Sequence, residues 1–282
     1  MNLFFNGETR RLRGGWRLLV FLTLVLLPQI VTSIYATPPS EDASVPISVG
    51  TILFYCVALT WVLFVSWLCL RFLDQTTIQS LGLRPEPGQM IAGFGISVLM
   101  MTLIVILQVI SGGSTIGVSE SGLKGSSLEV LGALAVFAIA ASFEETLFRG
   151  YPLQTLARST PAWIAIVIAA FLFALAHGRN PSQTPLALVN TLIAGVWLGT
   201  AWFKARNLWF PAGLHVGWNW SMGALYGLPV SGLHVPQQSI LRTESTSLIW
   251  LTGGDYGPEG GMAAGIILIA ATVFIARSKP KH

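Results

Sequence analysis

Six polar or ionisable side chains lie within otherwise apolar stretches of this 282-residue chain. The stretches are SFEETLFRG (142–150), FALAHGRNP (173–181) and PAGLHVGWNW (211–220), and the side chains are Glu144, Glu145, Arg149, His177, His215 and Asn219. A carboxylate can act as a general base, and histidine or asparagine can orient a water molecule or stabilise an oxyanion. Ionisable groups at membrane depth are costly and therefore indicate function. We take these six as the candidate catalytic set.

The spacing of these residues predicts which of them share a helix face. His215 and Asn219 are four residues apart, so they lie on one face. Glu145 and Arg149 are also four apart, with the acid N-terminal to the base, which is the favoured order for an ion pair. Glu144 lies about 100° around the helix from Glu145. The pattern predicts a Glu145–Arg149 pair and leaves Glu144 free to face another partner.

The composition indicates that these residues lie in a membrane protein. The chain is 53% hydrophobic and 10% charged, whereas soluble domains carry about 25% charged residues. Because a bilayer core requires ~20 apolar residues per helix, we predict helices at 16–36, 46–71, 89–110, 128–157, 161–177, 186–204, 210–227 and 261–277. The predicted fold is an all-α, polytopic bundle of about eight transmembrane helices. We expect one integral membrane domain over 1–282, with its catalytic motifs in 128–227.

Other features of the sequence exclude several classes of protein. No cleavage site follows the first apolar run, so we expect a retained first helix rather than a signal peptide. Cys56 and Cys69 lie in one apolar stretch and form neither a disulfide framework nor a cysteine metal motif. The basic residues have no interleaved aromatic platform, so nucleic acid is not an expected partner.

Basic residues in the loops predict the orientation in the membrane. With the N-terminus inside, 12 of the 16 Lys and Arg residues fall on the inner side. These are Arg10, Arg11, Arg13, Arg17, Arg71, Arg84, Arg158, Lys204, Arg206, Arg277, Lys279 and Lys281. The outer side has Lys124, Arg179 and Arg242. We expect a multi-pass cell-membrane protein with both termini cytoplasmic.

Helix rise predicts that the candidate residues lie at similar depths. Glu144 precedes the turn at 159–161 by about 16 residues and His177 follows it by about 16, so both lie roughly 24 Å from the turn. His215 and Asn219 lie roughly 12–18 Å from the loop that starts their helix. A shared depth makes a common site the stronger interpretation.

Each motif also has a simpler structural explanation. Glu145 and Arg149 could form only an intrahelical salt bridge, and His177 could lie in the headgroup zone. His215 and Asn219 could bridge two helices by hydrogen bonds. The remaining residues near the motifs are interpreted as packing residues or interfacial anchors (Phe173, Trp218 and Trp220) or as solvated (His234 and His282).

In this order, the three motifs resemble the CPBP family of intramembrane proteases, which includes CAAX proteases and bacteriocin-processing proteins. The family pattern is EExxxR, FxxxH and HxxxN or HxxxD on successive helices. Here it reads Glu144-Glu145-Thr-Leu-Phe-Arg149, Phe173-Ala-Leu-Ala-His177 and His215-Val-Gly-Trp-Asn219. The resemblance covers 128–227, whereas the first three helices match only as generic membrane segments.

The resemblance implies peptide-bond hydrolysis in a membrane-associated or prenylated-type substrate. It also implies a glutamate-activated water without a bound metal, although the family has been classed among metalloproteases. The sequence has no HExxH helix, so no cofactor is expected, yet a glutamate with two histidines could hold zinc. The partners expected are the lipid bilayer and a peptide or protein substrate.

We interpret Glu144 as the general base and His177 as the residue that orients the attacking water. His215 and Asn219 are interpreted as donors to the oxyanion, and Arg149 as the group that holds Glu145. Two other functions stay open: a proton-coupled transporter and a non-catalytic immunity or binding protein. A transporter would predict broken helices or an inverted repeat, and no repeat is evident. The physiological substrate and the oligomeric state cannot be read from the sequence.

Overall fold

Apolar runs fold as helices throughout the described part of the chain. The computed structural model describes residues 4–5, 11–35, 46–119, 122–235, 239–246 and 248–278. The helices are α1 (Gly14–Tyr35), α2 (Val49–Cys69), α3 (Pro87–Ile110), α4 (Gly122–Glu145), α5 (Tyr151–Ala157), α6 (Ala162–His177), α7 (Pro185–Ala205), α8 (Trp209–Trp220), α9 (Ile249–Thr252) and α10 (Met262–Arg277). The predicted helical membrane bundle is confirmed.

Every predicted helical range contains helix in the structure. Most ends differ from the prediction by a few residues. The largest difference is in α4, which begins at Gly122 rather than at 128. The prediction began at 128 because the residues before Leu128 are less apolar. The predicted helix 128–157 contains a π-helical turn at Thr146–Gly150, between α4 and α5. Similar turns extend α2 through Leu70–Asp74 and α8 through Ser221–Leu225.

A small antiparallel sheet departs from the all-α prediction. Strand β1 (Ser114–Val118) pairs with β2 (Leu241–Ser245), with Ser114 opposite Ser245. The stretch 228–260, expected only to be polar, also contains α9 and two single 3₁₀ turns at Gly254–Tyr256 and Pro258–Gly260. The two paired strands are far apart in sequence, so local periodicity did not indicate their pairing.

Four helices in the described part of the chain are long and apolar enough to cross a membrane. They are Val49–Asp74, Pro87–Ile110, Leu128–Ala157 and Pro185–Ala205. Shorter apolar helices cover Gly14–Pro28, Ala162–His177 and Met262–Arg277. A 16-residue helix is about 24 Å long, slightly less than a bilayer core of about 30 Å. Eight spans therefore stay a prediction.

Glycines on α8 allow its close contact with α3 and set the direction in which His215 points. A Cβ on Gly213 or Gly217 would collide with the backbone of Met90 or Phe94 on α3. Small residues four apart permit this approach between membrane helices. His215 lies about 200° around the helix from Gly213, so the face that carries His215 points away from α3 and into the bundle.

The loops predicted to share the inner side meet at one end of the bundle. The Leu208 amide donates to the Gly82 carbonyl at 3.1 Å. Arg158 pairs with Asp74 at 3.0 Å, and Lys204 donates to the Ser278 carbonyl at 2.7 Å. These contacts fit loops that alternate between two sides of a membrane.

Reporter fusions test the orientation of the bundle. From the bias of 12 basic residues against 3, we expect fusions after Lys204 and at His282 both to report a cytoplasmic location. His282 lies outside the described residues, so this arm depends on the sequence prediction alone. A fusion after Arg179 serves as the control and should report the opposite side. A reporter outside the cytoplasm at His282 would contradict the even number of spans.

Candidate active site

Glu144 lies between the two histidines of the candidate set. Its Oε2 is 3.8 Å from Nε2 of His177 and 3.8 Å from Nε2 of His215. Glu144 comes from the end of α4, His177 from the last residue of α6 and His215 from the middle of α8. Three segments predicted to have similar depths therefore meet, while the catalytic roles of their residues stay predictions.

Both histidines have Nδ1 fixed by an acceptor. Nδ1 of His177 lies 2.8 Å from the carbonyl oxygen of Phe173, and Nδ1 of His215 lies 2.9 Å from Oε1 of Glu145. Since a carbonyl or carboxylate oxygen can only accept, each Nδ1 carries a proton and donates it. Each Nε2 that faces Glu144 is therefore an acceptor in the neutral imidazole and a donor only in the imidazolium.

Glu145 bridges Arg149 and His215 in the interior of the bundle. Its Oε1 accepts from Nη1 of Arg149 at 3.1 Å and from Nδ1 of His215. The predicted pair is present, and the contact with His215 is an addition that the sequence did not indicate. Nη2 of Arg149 also donates to the Gly195 carbonyl at 3.2 Å. Arg149 and Glu145 are 0% and 1% exposed, so this network is shielded from water.

Glu144 has one oxygen without a protein donor and lines a cavity. Oε2 is buried and accepts no hydrogen bond from any residue in the described ranges. The Glu144 side chain is 23% exposed and lines a cavity of about 330 Å³. Asn219 lines the same cavity, one turn beyond His215. A molecule in the cavity would therefore contact the exposed part of the Glu144 side chain.

The packing role predicted for Phe173 is confirmed. The Arg149 guanidinium carbon lies 4.4 Å from the centre of the Phe173 ring, within cation–π range. The His177 ring centre is also 4.4 Å away. The Phe173 ring therefore packs against both the Arg149 guanidinium and the His177 imidazole and restricts the positions of both.

A second carboxylate in the cavity wall was missed by the sequence analysis. Glu259 lies in the GPEG turn just before α10 and accepts from Nε1 of Trp218 at 2.9 Å. Its Oε2 accepts from the Ser231 amide and hydroxyl at 2.8 and 2.7 Å. Trp218 was interpreted as packing or as an interfacial anchor, but its indole N–H binds this carboxylate. The signal available in the sequence was an acidic residue in a glycine-rich turn directly before an apolar helix.

Hydrogen bonds hold two parts of the stretch 228–260, at Ser231 and at Glu259, beside the cavity. Asn180 donates to the Ser231 carbonyl at 3.0 Å, and Asn190 donates to the Glu259 carbonyl at 2.8 Å. Residues of this stretch, Val230, Ser231, Leu233, Val235 and Glu259, line the cavity with Glu144. The stretch therefore forms one wall of the candidate site. His234 is exposed, as expected for a solvated residue.

The positions of Glu144, His177 and His215 can be compared with those of the ligands in a zinc site. Zinc in His₂Glu sites has nitrogen and oxygen ligands at about 2.0–2.2 Å, with the second imidazole nitrogen donating to a carboxylate or carbonyl. His177 and His215 make such contacts through Nδ1, with the Phe173 carbonyl and the Glu145 carboxylate. The 3.8 Å distances from Glu144 to the two Nε2 atoms are wider than the roughly 3.4 Å edge that a tetrahedral zinc site with such bonds has. No three His, Cys, Asp or Glu side chains within the described ranges are grouped so that they could hold a metal ion.

The comparison with protein families covers the segment that contains the whole candidate set. Residues 126–221 match the family model described as Rce1-like, type II CAAX prenyl endopeptidase Rce1-like. The resemblance to CAAX proteases is confirmed. The match begins near the start of α4 and ends just after α8, so it lies outside α1, α2 and α3. No curated protein matches the chain.

The matched segment contains the whole candidate set, since all six residues fall within 126–221. Most residues that line the Glu144 cavity lie in this segment or after it in the chain, and Tyr55 of α2 lies before it. This family, together with the apolar helices, supports a membrane endopeptidase in general.

Proposed function

We propose that this membrane protein is an endopeptidase that hydrolyses a peptide bond of a membrane-associated or prenylated-type substrate by means of a water activated by Glu144. The observation that carries the proposal is the position of the Glu144 carboxylate. Glu144 lines a cavity, and its Oε2 lies 3.8 Å from a nitrogen of each histidine with no donor among the described residues. A carboxylate held in this way is a suitable general base.

In the proposed reaction, a water molecule binds between Glu144 and the Nε2 of His177. Glu144 accepts a proton as the water oxygen adds to the scissile carbonyl carbon, and the carbonyl oxygen becomes an oxyanion. The proton then passes to the departing amine nitrogen, the C–N bond breaks, and a carboxylate and an amine leave. The fixed Nδ1–Phe173 contact supports a positioning role for His177 because it prevents ring rotation.

Asn219 is the better-supported neutral donor to the oxyanion. Its side-chain amide can donate in every protonation state. His215 can donate from Nε2 only as the imidazolium, since Nδ1 already donates to Glu145. We propose that Glu145 fixes the orientation of the His215 ring through Nδ1 and that Arg149 balances the charge of Glu145.

A comparison of membrane peptide termini tests the proposed function. Cells that express wild-type protein should gain a set of cleaved termini that cells with Glu144→Ala lack. Cells with Glu244→Gln, which changes an exposed carboxylate, should resemble the wild type. Identical termini in wild type and Glu144→Ala would contradict protease activity, and would favour a binding or transport role.

The metal content of the purified protein provides a separate test. We expect active protein to contain no stoichiometric zinc, because the donor separations and the lack of a zincin helix favour a water held by the side chains alone. The measurement is elemental analysis of protein whose cleavage activity has been assayed. One zinc per chain, lost together with activity in His177→Ala, would instead make this enzyme a metal hydrolase.

A further inference from the structure

A second cavity lies at the end of the bundle where α1 begins. It has a volume of about 580 Å³ and is lined by Arg11, Arg13, Gly14, Gly15, Arg17, Asp74, Thr76, Arg158, Ser159 and Thr160. Four guanidinium groups and one carboxylate give this lining a net charge of +3. Its volume is within the range of small-molecule sites, about 300–1,000 Å³. We refer to these ten residues as the arginine cavity.

Asp74 organises the arginine cavity but neutralises only part of its charge. The Asp74 carboxylate is 1% exposed and pairs with Arg17 and Arg158 through the same oxygen, Oδ1. Arg11 donates to the Asp74 carbonyl at 2.8 Å. The Nε–H of Arg17 is buried and has no acceptor among the residues that the structure describes. The arrangement thus holds several cations near one another with a buried donor unsatisfied.

Uncharged groups in the lining also suit a phosphate. The first intrahelical hydrogen bond of α1 runs from the Arg17 amide to the Arg13 carbonyl, so the N–H groups of Gly14 and Gly15 precede it. Amides at a helix N-terminus favour anions. Thr76 adds a hydroxyl group, whereas the hydroxyls of Ser159 and Thr160 already donate to the carbonyls of Thr155 and Leu156 at 3.3 and 3.0 Å. Arginine forks with hydroxyl and amide donors match the oxygens of a phosphate ester.

The location of the arginine cavity favours a lipid as the source of that phosphate. Three apolar helical segments end around it: α1 starts at Gly14, the α2 span ends at Asp74, and α5 ends at Ala157. Leu19 is 51% exposed and lies only about 6 Å along the helix from Gly15, so the hydrocarbon region begins close to the cavity. The cavity therefore lies at headgroup depth.

We infer that the arginine cavity binds the phosphate of an anionic phospholipid headgroup. The inference is independent of the proposed peptidase activity. Arg158 is 14 residues beyond Glu144, roughly 21 Å along the helix, so the two cavities are separate. The chemistry recognised is a phosphate ester with net negative charge, and a soluble phosphate ester is the other possible source.

Lipid binding by the full-length protein in neutral detergent tests this inference. Native mass spectrometry would titrate wild type with phosphatidylglycerol and with phosphatidylcholine, whose choline offsets the phosphate charge. We expect one site that prefers phosphatidylglycerol. Arg13→Gln with Arg158→Gln should weaken it by about 25-fold, at about fivefold per arginine. Arg71→Gln is the matched control, because Arg71 is exposed near the same end and does not line the cavity.

A substitution at Gly15 keeps the test valid if the arginine variant is unstable. No atom lies within 4 Å of a Cβ built on Gly15, and an acid in the first helical turn is stabilising. Gly15→Asp should therefore keep the melting temperature yet weaken phosphatidylglycerol binding by about fivefold or more. Gly15→Asn, which has nearly the same shape, should bind as the wild type does.

Three results would overturn the inference. The first is equal phosphatidylglycerol binding by Gly15→Asp and Gly15→Asn. The second is an equal loss of binding in Arg71→Gln and the double arginine variant. The third is displacement of phosphatidylglycerol by glycerol phosphate at a similar concentration, which would assign the cavity to a soluble phosphate ester rather than to a lipid. Retention of phosphatidylglycerol in excess glycerol phosphate supports the lipid.

Discussion

Replacing Glu144 with glutamine is expected to lower peptide cleavage by about 10²–10⁴-fold, the usual contribution of a general base. Glutamine has nearly the same shape but cannot take a proton from water. The protein should remain folded, because Oε2 of Glu144 makes no hydrogen bond with the described residues and its neighbours are 3.8 Å away. The measurements are a peptide-cleavage assay and a melting curve in detergent.

Two other carboxylates, Glu145 and Glu244, provide the controls for this variant. Glu244→Gln changes an exposed acid and should leave both cleavage and melting unchanged. Wild-type cleavage by Glu144→Gln, together with a folded but inactive Glu145→Gln protein, would show that the base has been assigned to the wrong carboxylate. The contacts of Glu145 oppose that alternative, because its Oε1 is already occupied by Arg149 and His215.

Replacing Glu145 with glutamine is expected to destabilise the protein by ~3–5 kcal/mol, because it leaves a buried cation without its counter-ion. Arg149 is 0% exposed, and it also donates a hydrogen bond to the Gly195 carbonyl, which carries no charge. Activity should fall too, since His215 loses the carboxylate that fixes Nδ1. The readouts are melting temperature and cleavage, compared with those of Glu144→Gln.

A double variant separates the two roles of Glu145. Glu145→Gln with Arg149→Met removes both charges, so we expect it to recover part of the lost stability. It should not recover cleavage, because the amide that replaces the carboxylate is a weaker acceptor for the Nδ1–H of His215. Recovery of full activity in the double variant would show that Glu145 acts only through Arg149 and that its contact with His215 is incidental.

The contacts within one helix, and the depths of the helices, could be predicted from the sequence. Glu145 and Arg149 are four residues apart, and helical geometry alone brings them together even across a π-helical turn. Glu144 and His177 are nearly equidistant from the turn at 159–161, so an antiparallel pair of helices places them at the same depth. These arguments need only the helix rise and an apolar run of suitable length.

The contacts between distant segments could not be predicted in this way. His215 contacts Glu145 across 70 residues, and Trp218 contacts Glu259 across 41. Their partners depend on how each helix is rotated within the bundle. For α8 that rotation is set by Gly213 and Gly217, which allow close packing against α3 and direct His215 away from it.

The sequence by itself determined that this protein is a helical membrane bundle and which polar side chains do not belong in lipid, because hydropathy and helical spacing are local properties. It also carried the CAAX protease motifs. The tertiary structure decided that Glu145 holds His215 as well as Arg149, that Glu259 secures a wall of the cavity, and that four arginines converge at the start of α1. Those arrangements depend on packing between segments far apart in the chain, where no short-range pattern specifies the partner.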